Sequence, residues 1–193
     1  MNTHTTRESW MNAFTEAARP IFEEHGYDIP PVRMSIGFTS KGARGSRIGE
    51  CWSNSMSGDG VHEIFVTPLL GDASRIADIL THELIHAAVG IAAGHKKPFV
   101  DAMKKLGLSG KPTATVAGAG WHEWADPILD AIGPLPHSKL KSGESAQQKQ
   151  STRMLKCSCP KCGFVMRTSA KWLEAVPQMR CVDPQCETEL EIG

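Results

Sequence analysis

His82, Glu83 and His86 stand in the order His-Glu-x-x-His, and His95 follows nine residues after His86. On a helix, residues four apart project from one face, one turn from each other. The His82 and His86 imidazoles can then bind one Zn²⁺ together, while Glu83 reaches a water on the metal rather than the metal itself. A third protein ligand and an open fourth position would complete a catalytic zinc site. Such a site activates water near neutral pH and polarises a carbonyl, which is the chemistry of hydrolysis. Glu83 is the expected general base. His95 is the expected third ligand, because a loop just past the helix returns easily to the metal. Glu123 is the rival for that position; otherwise His122 and Glu123 read as the polar face of a helix. A donor to the developing oxyanion is also required. His62, His122, His137 and Arg47 are all candidates, and the sequence does not select among them.

The surrounding residues place this motif on a core helix. Ile76, Ile79, Leu80, Leu84, Ala87 and Ala88 form an apolar helical stripe. Asp72 and Ser74 offer N-cap chemistry at its start, and Gly90 and Gly94 offer its end.

A second group of ligand-type residues lies near the C-terminus. Cys159-Pro-Lys-Cys162 is a C-x-x-C knuckle, and Cys181 and Cys186 form a wider pair after a gap of 18 residues. This is zinc-ribbon spacing. Four thiolates would close a tetrahedral, structural site. A module of this size cannot bury a sufficient core alone, so the metal would supply folding energy, with Phe164, Val165, Trp172 and Leu173 packed around it. Cys157 is a fifth cysteine in the region. It could replace Cys159, but the knuckle form favours Cys159 and leaves Cys157 spare. Five of the six cysteines fall after residue 156. That clustering suits metal binding in a reducing compartment rather than a disulfide framework.

The elements that must position these residues can be read in outline. Residues 6–25 have helical apolar spacing through Trp10, Phe14, Ala17, Ala18, Ile21 and Phe22. Strands are expected over Val32–Phe38, Ile48–Ser53 and His62–Thr67. Between the first two lies a flexible loop with Lys41, Arg44 and Arg47. A short helix should open at Pro98 and run to Leu106. Gly107–Gly120 reads as loop, and Trp121–Ile132 as a helix that Pro127 starts or breaks. The fold class is therefore α+β. Residues 1–137 form a small domain of helices and a short, mainly antiparallel sheet; 138–153 form a polar linker; 154–193 form the ribbon. The order of elements matches the layout of small zincins, where a sheet edge beside the cleft can bind substrate as an added strand. His62–Thr67 is the candidate for that edge, an interior position being the alternative.

Charge is balanced only in sum. Residues 1–137 carry 12 Lys/Arg against 15 Asp/Glu, whereas residues 139–180 carry nine Lys/Arg against two Glu. A basic segment on an otherwise acidic chain is a candidate footprint for nucleic acid. No stretch approaches the roughly 20 apolar residues of a membrane helix. The polar N-terminus lacks the apolar core of a signal peptide. A cytoplasmic protein is expected.

Taken together, His82-Glu83-Leu84-Ile85-His86, then Gly94-His95 and Pro98-Phe99, then the C-terminal cysteine pairs, resemble the SprT-like family of zinc metalloproteases. The stretch Gly133-Pro134-Leu135-Pro136-His137 is similar to a linker-proximal element of its phage and bacterial members. The resemblance implies a catalytic zinc on His82, His86 and His95 with Glu83 as base, and a structural zinc on Cys159, Cys162, Cys181 and Cys186. It implies hydrolysis of peptide bonds in proteins on DNA, of the DNA–protein crosslink repair type. The DNA would be single-stranded or damaged, contacted through residues 139–180, in the nucleoid or the cytoplasm of a phage-infected host. The second cysteine pair is wider than the family's two-residue gap. The nine-residue step to His95 excludes the metzincin pattern HExxHxxGxxH. The alternative is a non-proteolytic zinc protein that binds DNA or the transcription machinery; the presence of Glu83 favours the protease.

Overall fold

The computed structural model describes residues 4–43, 45–141, 154–176 and 178–192. The chain divides into two compact units, Met1–Ser142 and Gly143–Gly193. It is α+β, with helices around small mixed and antiparallel sheets.

The first unit opens with α1 (Arg7–Glu24). The Thr6 hydroxyl accepts from the Ser9 N–H, and the Ser9 hydroxyl accepts from the Thr6 N–H. This capping box satisfies N–H groups near the helix start, where the first turn has no intrahelical partners. Trp10, Met11, Phe14, Ala18 and Phe22 form its buried stripe. Buried Arg7 donates to the carbonyls of Leu70, Pro136 and His137. Trp10 Nε1 donates to the Gly133 carbonyl at 2.8 Å. These bonds fasten the end of the unit to its first helix. The Leu140 N–H donates to the Pro68 carbonyl at 2.8 Å, so the chain stays on this unit past the expected boundary at 137. Residues 142–153 of the expected linker lie outside the described residues.

β1 (Val32–Ile36), β2 (Gly49–Trp52) and β3 (His62–Val66) form one sheet in the order β1-β3-β2. β3 runs antiparallel to β2 but parallel to β1, so the sheet is mixed rather than mainly antiparallel. The reason is the turn after β2: it folds β3 back and inserts it between the other two strands. His62–Thr67 is thus the central strand and not the edge. Its alternating buried residues His62, Ile64 and Val66 report which face meets the core. Alternation cannot report whether the backbone edges are paired.

α2 (Ala73–Val89) follows. The Asp72 carboxylate accepts from the Arg75 N–H at 2.7 Å, and Gly90, at φ +87°, ends the helix in a conformation that favours glycine. A 3₁₀ turn at Ile91–Ala93 leads through His95 to α3 (Lys97–Lys105). Residues expected as loop then form a hairpin, β4 (Leu108–Lys111) and β5 (Ala114–Ala117). Each strand has only four residues, too short a run to show an alternating pattern. α4 (Ala119–Ile132) carries Pro127 on an exposed face without ending.

One clamp joins α2 to the hairpin. Arg75 donates to the Asp78 carboxylate at 2.6 and 2.8 Å and to the Thr115 carbonyl at 3.2 Å. Asp78 also accepts from the Ala117 N–H at 3.1 Å. Burial pushes the Asp78 carboxyl above the usual range, and the Arg75 bonds oppose that.

The second unit holds β6 (Leu155–Ser158), β7 (Val165–Thr168), the short α5 (Ala170–Ala175) and β8 (Glu191–Ile192), with sheet order β7-β6-β8. Among the described residues, no helix is long and apolar enough to cross a membrane.

Removing the Asp78 carboxylate leaves the Ala117 N–H and the Arg75 guanidinium without their partner. Asp78→Ala is expected to cost about 1–3 kcal/mol of stability, read as a lower urea midpoint. An unchanged midpoint would show that the clamp carries no net stability.

Candidate metal centre

α2 places His82 and His86 one turn apart on the face turned toward the cleft. Gly90 and the 3₁₀ turn reverse the chain and bring His95 back to them. The His95 Nε2 lies 3.2 Å from the His86 Nε2 and 3.3 Å from the His82 Nε2. A neutral ring nitrogen carries either one proton or one lone pair. The His95 nitrogen therefore cannot serve both neighbours well by hydrogen bonding, whereas one cation can serve all three. The separations match the roughly 3.3 Å edge of a tetrahedron with zinc–nitrogen bonds of about 2.0–2.1 Å. Phe99, fully buried, lies against all three imidazoles with ring centroids 4.5–4.9 Å away. It walls one side of the cluster with apolar surface.

Glu83 lines the same cleft, which has a volume of about 420 Å³ and is also bordered by Arg47, Gly49, Glu50, Cys51 and Thr115. Gly49 of β2 is needed there. A Cβ at that position would stand 2.6 Å from a Glu83 carboxyl oxygen and 2.5 Å from Ile79 Cγ2. The Glu83 carboxyl thus occupies the space that β2 leaves by lacking a side chain. Burial, then the charge of Glu50, raises the Glu83 carboxyl to about 8; Arg47 and a hydrogen bond from the Cys51 backbone act the other way. Burial and the neighbouring imidazoles lower His82 to about 3 and His86 to about 4, and burial lowers His95. Neutral imidazoles are the form that binds a metal. A cation among them would favour the ionised form of the adjacent carboxyl.

The remaining site candidates separate cleanly. Glu123 is exposed, and exposed His122 pairs with Asp126 at 2.9 Å; neither lines the cleft. The third position therefore falls to His95. His62 Nδ1 meets the Trp52 carbonyl and His137 Nε2 meets the Thr5 carbonyl, both away from the cleft. Arg47 alone of the four oxyanion candidates borders it, paired with Glu50. One residue was missed altogether. Thr115 Oγ1 lies 2.8 Å from His82 Nδ1, and Thr115 is buried. Its only sequence signal was its place after the Gly110-Lys-Pro-Thr113 turn, within a stretch read as loop.

In the second unit the four expected sulfurs gather. Cys159 and Cys186 lie 3.5 Å apart, and Cys162 and Cys181 lie 3.4 Å apart. These distances are far too long for a disulfide of about 2.05 Å. They approach the roughly 3.8 Å between thiolates on one tetrahedral zinc. All four could hold one metal ion, and Cys157 is not among them. Cys157 is fully buried in the small core instead. The knuckle turns at Gly163, where the Cys159 N–H donates to the Phe164 carbonyl and the Gly163 N–H to the Cys159 carbonyl. A hydrogen bond from the Cys162 backbone leads the causes that hold the Cys159 thiol down to about 6. Phe164 and Leu173 pack against the cysteines as expected, but Val165 and Trp172 do not: Trp172 is 57% exposed. With the sulfurs filling the centre, there is no room in so small a core for the indole.

No protein-family model, curated protein or solved structure matches this chain.

Elemental analysis should find two metal equivalents per full chain. His86→Ala should remove one and Cys159→Ser the other; a single equivalent that survives His86→Ala would leave the histidine cluster without a metal. With metal removed by chelator, the raised Glu83 pKa contributes a loss of stability as pH rises from about 4.5, levelling off above about 8, while the lowered His82 and His86 contribute a gain in wild type and variant alike. Glu83→Gln has no such loss. Its melting temperature relative to wild type should climb across that window, and a flat difference would contradict the buried carboxyl.

Proposed function

We propose that the protein is a zinc-dependent peptidase of the SprT-like, zincin type that hydrolyses peptide bonds in DNA-associated proteins. The observation that carries this reading is the convergence of three imidazoles, with the His95 Nε2 within 3.3 Å of the Nε2 of both His82 and His86, in an open cleft that also holds Glu83. Zinc held there would lower the pKa of a water to about 7 and polarise the carbonyl under attack.

This chain's own residues supply the rest. Glu83 takes the proton from the attacking water and passes it to the leaving amine. Phe99 and the surrounding core keep bulk water from the inner side of the imidazoles. Arg47, at the rim, is the cationic donor available to the developing oxyanion. β2 is the outer strand of its sheet and borders the cleft through Gly49, Glu50 and Cys51. A substrate segment can add to this edge as a further strand, the role first expected of His62–Thr67.

The cysteine unit supports the DNA part of the reading. Lys156 and Arg167 stand opposite each other on β6 and β7, both exposed. The Lys171 ammonium lies 5.9 Å from the centroid of the exposed Trp172 ring. Cations beside an open aromatic face suit single-stranded nucleic acid, whose bases stack while its phosphates pair with charge. Of the other basic residues of the segment, Lys149 and Arg153 lie outside the described residues.

The test is cleavage of a DNA-bound basic protein by the zinc-loaded chain, with and without single-stranded DNA. Wild type should cleave faster with DNA present, and Glu83→Gln should lose about 10²–10⁴-fold in rate while keeping both metal equivalents. Undiminished cleavage by Glu83→Gln would remove the assigned base. Retained zinc and DNA binding with no wild-type cleavage would favour the binding-protein alternative.

A further inference from the structure

We propose that Thr115 is the positioning residue of the histidine site: its hydroxyl sets which nitrogen of His82 faces the metal. The inference rests on the metal-site reading above and goes beyond its ligand set.

His82 uses both ring nitrogens. Its Nε2 points to the His95 Nε2 at 3.3 Å, and its Nδ1 lies 2.8 Å from Thr115 Oγ1. If Nε2 carries the lone pair offered to a cation, Nδ1 carries the proton, and Nδ1–H donates to the threonine oxygen. A metal-bound histidine is oriented by the partner of its other nitrogen, and losing such a partner costs affinity. The partner here is neutral. It fixes the tautomer without adding a negative charge beside the cluster.

Thr115 can do this because its own position is fixed twice. Its backbone carbonyl accepts from Arg75 at 3.2 Å, and two residues on, the Ala117 N–H donates to Asp78 at 3.1 Å. Arg75, Asp78 and His82 lie on successive turns of α2, at spacings of three and four, and so share one face. The helix that carries the first ligand thus holds the strand that orients it. β-Branching narrows the rotamers open to Thr115 and holds the hydroxyl toward the ring.

The experiment uses the full chain with zinc as the probe, titrated against a chromophoric chelator. The equivalent lost in His86→Ala marks the histidine site. Thr115→Val keeps the shape and removes the hydroxyl. It should weaken that equivalent by about 10–100-fold and leave the cysteine-held equivalent unchanged. Thr115→Ser restores the oxygen and should recover most of the affinity, which a purely structural role for the threonine methyl would not. Long-range ¹⁵N–¹H spectra of the zinc-loaded wild type should show the His82 proton on Nδ1. This measurement decides the matter even if Thr115→Val fails to fold. Wild-type affinity in Thr115→Val, or a His82 proton on Nε2, would overturn the role of Thr115 while leaving the metal site standing. Absence of any His86-dependent zinc in the wild-type chain would overturn the metal site itself, and this role with it.

Discussion

Two imidazoles and a carboxyl group of one largely buried helix, with a third imidazole brought back to it by the following turn, are packed together, and that concentration of polar groups governs the first unit. Burial disfavours the charged form of each of them, which lowers the histidines and raises Glu83. Leaving such groups unsatisfied costs roughly 1–3 kcal/mol each. The arrangement is tolerable because every member has a partner to face. His82 has Thr115 and His95, and Glu83 has the Cys51 backbone. α2 is consequently buried on nearly all sides: the sheet covers one flank, the hairpin another, and α3 a third through Phe99. The rest of the unit is arranged to enclose this helix while leaving one face open.

The two metal-type clusters use opposite logics. The histidine set stands in an open cleft on a unit that already has an apolar core built around Trp10, Phe14, Leu80 and Trp121. Three ligands and free space beside them suit chemistry. The cysteine set lies at the centre of a unit whose core is little more than the sulfurs and Leu190, with Phe164, Met166, Leu173 and Met179 around them. Four sulfurs and no open position suit structure. The same economy explains the exposed Trp172: a core filled largely by cysteine sulfurs leaves the largest side chain of the unit outside.

β2 shows how a short strand can shape the surroundings of a buried carboxyl. Gly49 gives Glu83 its space, Cys51 gives it a backbone hydrogen bond, and Glu50 raises its pKa while pairing with Arg47 at the rim. Three consecutive residues thereby set the position, solvation and electrostatics of one carboxyl. The same strand is the outer one of its sheet, so the environment of Glu83 and the available backbone edge come from one element.

Much of this was legible in the chain alone. His82, Glu83 and His86 could be assigned to one helix because spacing on a helix is local, and the Asp72 cap and Gly90 stop are local too. Each cysteine pair could be picked out because its spacing is short-range, whereas the sulfur contacts of 3.4–3.5 Å run between the pairs and belong to the tertiary structure. Tertiary structure decided what depends on residues distant in sequence. It chose His95 over Glu123, because only the path after Gly90 returns a side chain to the helix face. It put His62–Val66 in the middle of the sheet, because strand order depends on where the chain inserts and not on alternation. It made strands of 108–117 and brought Thr115 to His82 across 33 residues, a contact created by the Arg75–Asp78 clamp rather than by any pattern within the hairpin itself.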